Sequence, residues 1–208
     1  MESNGYLNLK YAEEFRIACT INNLRYEEVL QRFIDHVSLY AFKGGTMEPM
    51  FRWATQVMVD CTAQYNEEIK MPLADQSVTN FCATRIDLNE LHTLNLTADF
   101  NLLCHLNGLN ALQILQYFID NTSLAEDRAL NLYEIVDINP STAVVLLMLV
   151  RDKTKSKHLL QEKIYVEYAL KLLKLDERLE DESDIPYKIK QYQHFYFDWY
   201  NALRVIVN

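Results

Sequence analysis

The 208-residue chain contains only four glycines and four prolines. Proteins built from many short strands need turn residues at every corner, so this scarcity predicts helices joined by short loops. The chain also lacks a run of about 18 apolar residues, which argues against a membrane-spanning helix. Half of the residues are nevertheless hydrophobic. This content is enough for a packed core and excludes wholesale disorder.

Sequence motifs of known chemistry are also missing. The chain has no CxxC pair, GxSxG elbow, Walker loop, GxGxxG or HExxH, and its five histidines show no ligand spacing. The four cysteines fit no zinc motif, so we expect four buried and reduced thiols; they are Cys19, Cys61, Cys82 and Cys104. We therefore predict no catalytic residues, no metal site and no cofactor, in a non-enzymatic protein.

Basic residues are fewer than acidic ones. The chain carries 29 acidic and 20 basic residues, a formal net charge of −9. A protein with this balance repels a phosphate backbone unless a local basic patch overcomes the mean charge. Residues 1–5 lack the basic and apolar regions of a signal peptide. We expect a cytoplasmic protein with no membrane partner, for which nucleic acid is possible but disfavoured.

An internal repeat is the most informative feature that is present. Residues 15–39 align with residues 100–124 without a gap, and 11 of the 25 positions are identical. The identical pairs are Phe15/Phe100, Cys19/Cys104, Asn22/Asn107, Leu24/Leu109, Leu30/Leu115, Gln31/Gln116, Phe33/Phe118, Ile34/Ile119, Asp35/Asp120, Ser38/Ser123 and Leu39/Leu124. The constant offset of 85 residues indicates a duplicated unit.

Each copy is typical of a helix, a tight turn and a second helix. The turn falls at Asn23 in one copy and Gly108 in the other, the two residue types that best tolerate a left-handed backbone. The second helix carries one continuous apolar face in both copies. Asn110 and Gln113 have the spacing of a capping box.

A loop and a third helix complete each predicted unit. The third helices are expected over 50–61 and 141–150. The predicted division is a first repeat unit over 1–71, a connector over 72–93, a second repeat unit over 94–175, and an acidic linker with an aromatic helix over 176–208. We expect one compact body with an all-α fold, a tandem duplication of helix, turn, helix, loop and helix followed by C-terminal helices, with room for one short two-stranded ribbon.

The last predicted helix has a heavily aromatic face. Its aromatic residues step by three and four, and they are Tyr192, Phe195, Tyr196, Trp199 and Tyr200. Two interpretations stay open. The face either packs into the core or forms an interface with a second copy or a partner, since Tyr and Trp are enriched where proteins meet.

Short alternating segments precede both copies, residues 7–9 in the first and residues 94–96 in the second. The order of strand, helix, turn and helix resembles the ribbon-helix-helix family of DNA-binding dimers. The resemblance implies that the two segments pair as a ribbon inside a pseudo-dimer, with Asn8, Lys10, Thr93 and Asn95 facing base edges. The basic loop after the third helix of the second unit supplies the candidate phosphate contacts Lys153, Lys155 and Lys157.

Three hypotheses about function follow. The leading one is a helical interaction or scaffold protein that self-associates or binds a protein partner through apolar or aromatic helix faces. The alternative is a DNA-binding transcriptional regulator with an internal ribbon-helix-helix pseudo-dimer. The third is an enzyme that uses Asp, His and Tyr residues in a pocket. Its only support is that the chain contains such residues.

Overall fold

A computed structural model describes residues 8–66, 82–88, 92–130, 141–150 and 159–207. Within these ranges the chain forms ten α-helices and one two-stranded antiparallel sheet. In chain order the elements are α1 (Glu13–Ile21), α2 (Tyr26–His36), α3 (Leu39–Phe42), α4 (Pro49–Asn66), β1 (Thr84–Asp87), β2 (Thr93–Leu96), α5 (Ala98–Leu106), α6 (Ala111–Asp120), α7 (Leu124–Ala129), α8 (Thr142–Val150), α9 (Leu159–Leu179) and α10 (Ile185–Val207). The prediction of an all-α fold with one short ribbon is confirmed.

Several element boundaries differ from those that we predicted. The short helices α3 and α7 occupy the stretch that we expected to be a loop. Helix α9 runs to Leu179, so the acidic stretch begins inside a helix rather than in a linker. The first difference arises from local capping, because Ser38 and Ser123 cap α3 and α7 with their side chains.

Chain contacts group the protein into two compact units. The first unit contains Met1–Ala12 and Tyr26–Asn121, and the second contains Glu13–Arg25 and Thr122–Asn208. Each unit therefore draws segments from both copies of the repeat, whereas the predicted domains are consecutive stretches of chain.

The helical hairpins of the two copies turn in the same way. The turn residues Asn23 and Gly108 have positive φ angles of 53° and 65°. In both copies the next residue donates its N–H to the carbonyl of the cysteine five positions earlier, at 2.8 Å from Leu24 and 2.9 Å from Leu109. These contacts confirm the predicted left-handed turn after the first helix. The predicted capping box at the start of α6 is confirmed too.

The core of the first unit forms where α2 meets α6. Phe33 and Phe118, which are equivalent residues of the two copies, stack with ring centroids 4.5 Å apart and an interplanar angle of 7°. Both rings are fully buried, and Phe100 meets Phe33 edge-on at 6.4 Å. Helix α4 packs against both α2 and α6. The apolar faces predicted for the second helix of each copy therefore bury each other.

Two equivalent glutamines connect the copies in a reciprocal way. The side-chain amide of Gln31 donates to the carbonyl of Asn95 at 2.9 Å, and its oxygen accepts the N–H of Asn95 at 2.8 Å. Gln116 does the same with Lys10, at 2.8 Å and 2.9 Å. Lys10 and Asn95 are themselves 85 residues apart. Each glutamine therefore binds the extended segment of the other copy as a neighbouring strand would.

The ribbon of the first unit has a different strand pairing from the one we predicted. Strand β2 pairs antiparallel with β1, which lies in the predicted connector, in the register Thr84↔Leu96 to Asp87↔Thr93. The backbone of Asn95 is bound by Gln31. Because the two edges of β2 have these partners, residues 8–10 do not pair with it. The predicted pairing of residues 7–9 with residues 94–96 is therefore wrong for residues 8 and 9, and residue 7 lies outside the described ranges.

The second unit is organised around α10. This helix packs against α1, α7 and α9. The hydroxyl of Tyr165 on α9 donates to the carbonyl of Ile21 at the end of α1. Glu14 on α1 accepts the hydroxyl of Ser123, the residue that caps α7. These contacts hold four helices together through side chains from both copies.

We predict that the reciprocal glutamines stabilise the first unit. Gln31→Ala and Gln116→Ala each remove a two-bond bridge to the backbone, so each should lower the free energy of unfolding by about 1 kcal/mol. Urea unfolding followed by circular dichroism measures the change. Gln64→Ala, at an exposed position of α4, is the matched control and should change stability by much less. Equal effects of the three substitutions would contradict the bridging role.

Candidate functional site

The candidate base-reading residues occupy equivalent positions in the two copies. Asn8 corresponds to Thr93 and Lys10 to Asn95 at the offset of 85, and all four side chains are exposed. Lys153, Lys155 and Lys157, the candidate phosphate contacts, lie outside the described residues. The structure therefore brings two matched pairs of polar side chains to the surface of the first unit.

Carboxylates surround these polar residues. The amide nitrogen of Gln31 that binds Asn95 also donates to Asp35 at 2.8 Å, and Gln116 donates to Asp120 at 2.7 Å. The hydroxyl of Thr93 donates to Asp87 at 3.1 Å. Negative charge at this distance opposes a phosphate backbone, whose approach would need compensating cations.

The predicted aromatic face of α10 lies largely inside the second unit. Tyr192, Tyr196 and Trp199 are buried, while Phe195 and Tyr200 are half-buried. Trp199 stacks on Tyr168 of α9, with ring centroids 5.6 Å apart and an interplanar angle of 10°. The three buried side chains therefore pack in the way that the core interpretation describes.

Asp176 ties three helices of the second unit together. Its carboxylate accepts from the Arg128 guanidinium, at 3.1 Å from Nε, and from the Tyr192 hydroxyl at 3.0 Å. Neighbouring Asp127 accepts the Ser141 hydroxyl at 2.6 Å, but burial still raises the pKa of the Asp127 carboxyl. Burial also raises the pKa of Tyr196. The contacts of Asp176 with Arg128 and Tyr192 fix the orientation of α9 relative to α7 and α10.

The opposite face of α9 carries an apolar stripe. Val166 is 61 % exposed, and Leu170 and Leu173 are each 56 % exposed. The three residues are spaced by four and three positions, so they line one side of the helix. We call them the outer stripe. Large apolar residues are also exposed on α10, but they are eight to ten positions apart, at Tyr187, Phe197 and Val205.

Sequence reasoning missed the outer stripe. The helical spacing of Ile164, Tyr168, Leu172 and Leu175 predicts a single apolar face for this helix, and Leu175 is buried. The sequence contains a second apolar face that this spacing does not include. On a helical wheel, residues 166, 170 and 173 lie on the side opposite to residues 168, 172 and 175. Helix α9 therefore has two apolar faces, of which the outer one is exposed.

A cavity of about 370 Å³ lies in the second unit between α1, α7 and α10. Its polar lining includes Glu13, Glu14, Gln193 and His194, beside an apolar wall. The carboxylate of Glu14 is held by Ser123 and by the Gln193 amide, the latter at 2.6 Å. Glu14 therefore connects α1 with α7 and α10 at the cavity wall. These two contacts already use part of its hydrogen-bonding capacity.

The cysteines differ in environment. Cys19, Cys61 and Cys104 are buried, and burial raises the pKa of Cys61 and Cys104 to about 12 and raises that of Cys19 as well. Cys82 is exposed, so the expectation of four buried thiols is wrong at this position. The reason is that Cys82 lies two residues before β1 and not on the buried face of a helix.

Within the described part of the chain, His, Cys, Asp and Glu side chains do not gather in groups of three that could bind a metal ion. The helices of these ranges are too short or too polar to cross a bilayer.

Comparison with protein-family models, with curated proteins and with solved structures finds no match for this chain. Its function therefore has to be inferred from the geometry of its own residues.

We predict that a thiol reagent distinguishes the cysteines at neutral pH. A raised pKa keeps the buried thiols protonated and unreactive, so Cys82 should react fast and the other three only after unfolding. Counting labels by mass spectrometry with and without denaturant measures this. Cys82→Ser should abolish the fast label, and fast labelling that persists in this variant would contradict the burial of the other three.

Proposed function

We propose that this chain is a helical interaction protein that self-associates through an exposed apolar helix face. The outer stripe of α9 is the observation that carries the proposal. Single exposed apolar residues are normal on protein surfaces, but three consecutive positions of one helix face form a continuous patch.

The position of the stripe supports the proposal. The inner face of α9 is already engaged by α10 and, through Tyr165 and Asp176, by α1 and α7. A helix that is held on one side presents its other side in a defined orientation. Such a surface loses little conformational freedom when a partner binds, which favours association.

Self-association predicts a mass that rises with protein concentration. Light scattering on the purified chain should give a weight-average mass above that of the monomer at high concentration. Contacts between apolar side chains are not screened by salt, so the rise should persist at high ionic strength. A strict monomer across the accessible concentration range would contradict the proposal.

The second candidate function is sequence-reading DNA binding by the first unit. The exposure of Asn8, Lys10, Thr93 and Asn95 at matched positions of the two copies favours it, because two-fold DNA sites are read by symmetric residues. The acidic neighbours of these residues and the formal charge of −9 count against it. We therefore place it behind the interaction hypothesis.

A filter-binding titration at low salt tests this second candidate, because charge-driven affinity is greatest there. If the first unit binds DNA, Lys10→Ala should weaken binding and reduce the salt dependence by about one charge. Lys43→Ala, at an exposed residue just after α3, serves as the control for a general loss of positive charge. Undetectable binding at low salt would eliminate the candidate.

A further inference from the structure

We propose that α9 pairs with α9 of a second copy of this chain in antiparallel orientation, centred near Leu170. This inference rests on the proposed function and names the surface and the geometry of the self-association.

The outer stripe continues into charged residues at both ends. Lys163 lies three positions before Val166, and Glu177 lies four positions after Leu173; both are exposed. The spacing of three, four, three and four along these five residues is the pattern of a helix-pairing face. This face spans residues 163–177, about four helical turns.

The charges along this face complement each other only when the two helices run in opposite directions. Reversing one helix about Leu170 brings Lys163 of each copy opposite Glu177 of the other. The same operation brings Glu167 within one residue of the position opposite Lys174, and both of these side chains are exposed. A parallel pair would instead place each charged residue beside the same residue of the other copy, so that like charges would meet. The charge pattern therefore selects the antiparallel arrangement and a second copy as the occupant.

Glu167 can serve both its own helix and a second one. It already forms an ion pair with Lys171 at 2.6 Å, and this contact lowers the pKa of Glu167 and raises that of Lys171. Because a carboxylate offers two oxygens, the second oxygen can accept from Lys174 of another copy. Glu167 thus stays charged over the whole neutral range.

The expected dimer is weak, because two four-turn faces lie at the small end of protein interfaces. Sedimentation velocity over two decades of protein concentration measures its dissociation constant. Leu170→Asp should weaken association at least tenfold, since it places two like charges at the centre of the pair. Val205→Asp adds the same charge at another exposed apolar position, near the end of α10, and should change association by less than about twofold.

The orientation is tested by exchanging charges. Lys163→Glu and Glu177→Lys should each weaken association by about fivefold at low salt, because each substitution turns two attractive pairs into repulsive ones. The double variant should restore the affinity of the original chain. Circular dichroism checks that Leu170→Asp and the charge variants keep the helical content, and the charge variants alter only exposed side chains.

The outcomes separate this inference from the proposed function. If the unaltered chain associates but Leu170→Asp behaves like Val205→Asp, the inference is overturned and self-association stands. If Leu170→Asp weakens association while the single charge variants do not, the antiparallel orientation is overturned. If the unaltered chain stays monomeric, both the inference and the proposed function are overturned.

Discussion

Gln31 and Gln116 bind the backbones of Asn95 and Lys10, and much of the first unit depends on this exchange. Each side-chain amide offers a donor and an acceptor at the spacing of a peptide group, so it can replace a missing strand. The exchange sets α2 and α6 in register with the extended segments of the opposite copies. That register also brings Phe33 and Phe118 together at the centre of the core.

A similar exchange recurs at the short helices. Asp99 on α5 accepts the N–H of Leu39 at the start of α3, at 2.8 Å. Glu14, the equivalent residue on α1, accepts the hydroxyl of Ser123 at the start of α7. An acidic side chain near the start of a helix satisfies donors that would otherwise lack partners. The two copies therefore use the same chemistry in both units, although the residue types and the atoms differ.

Helix α9 packs along one face and is exposed along the other. Its inner face is occupied by aromatic packing and by the Asp176 contacts, and its outer face keeps Val166, Leu170 and Leu173 exposed. Charged residues flank the outer stripe on the same side. In the self-association that we propose, these charges would supply the specificity that apolar burial alone does not provide.

Features that depend on neighbouring residues were predictable from the sequence. The left-handed turns at Asn23 and Gly108, the capping box at Asn110 and the buried faces of α2 and α6 follow from side-chain type and helical spacing. The short capped helices were missed, although Ser38 and Ser123 were visible as an identical pair. A single serine is weak sequence evidence for the start of a helix, because serine is also common in loops.

The sequence by itself determined the helical class, the repeat and the turns, because hydrogen bonds and apolar periodicity within a few residues decide them. Only the tertiary structure decided that β2 pairs with β1, that each glutamine binds the opposite copy, and that the outer face of α9 stays uncovered. These outcomes depend on which distant segments meet. Several registers satisfy the same local pattern, and the packing of the whole core selects among them.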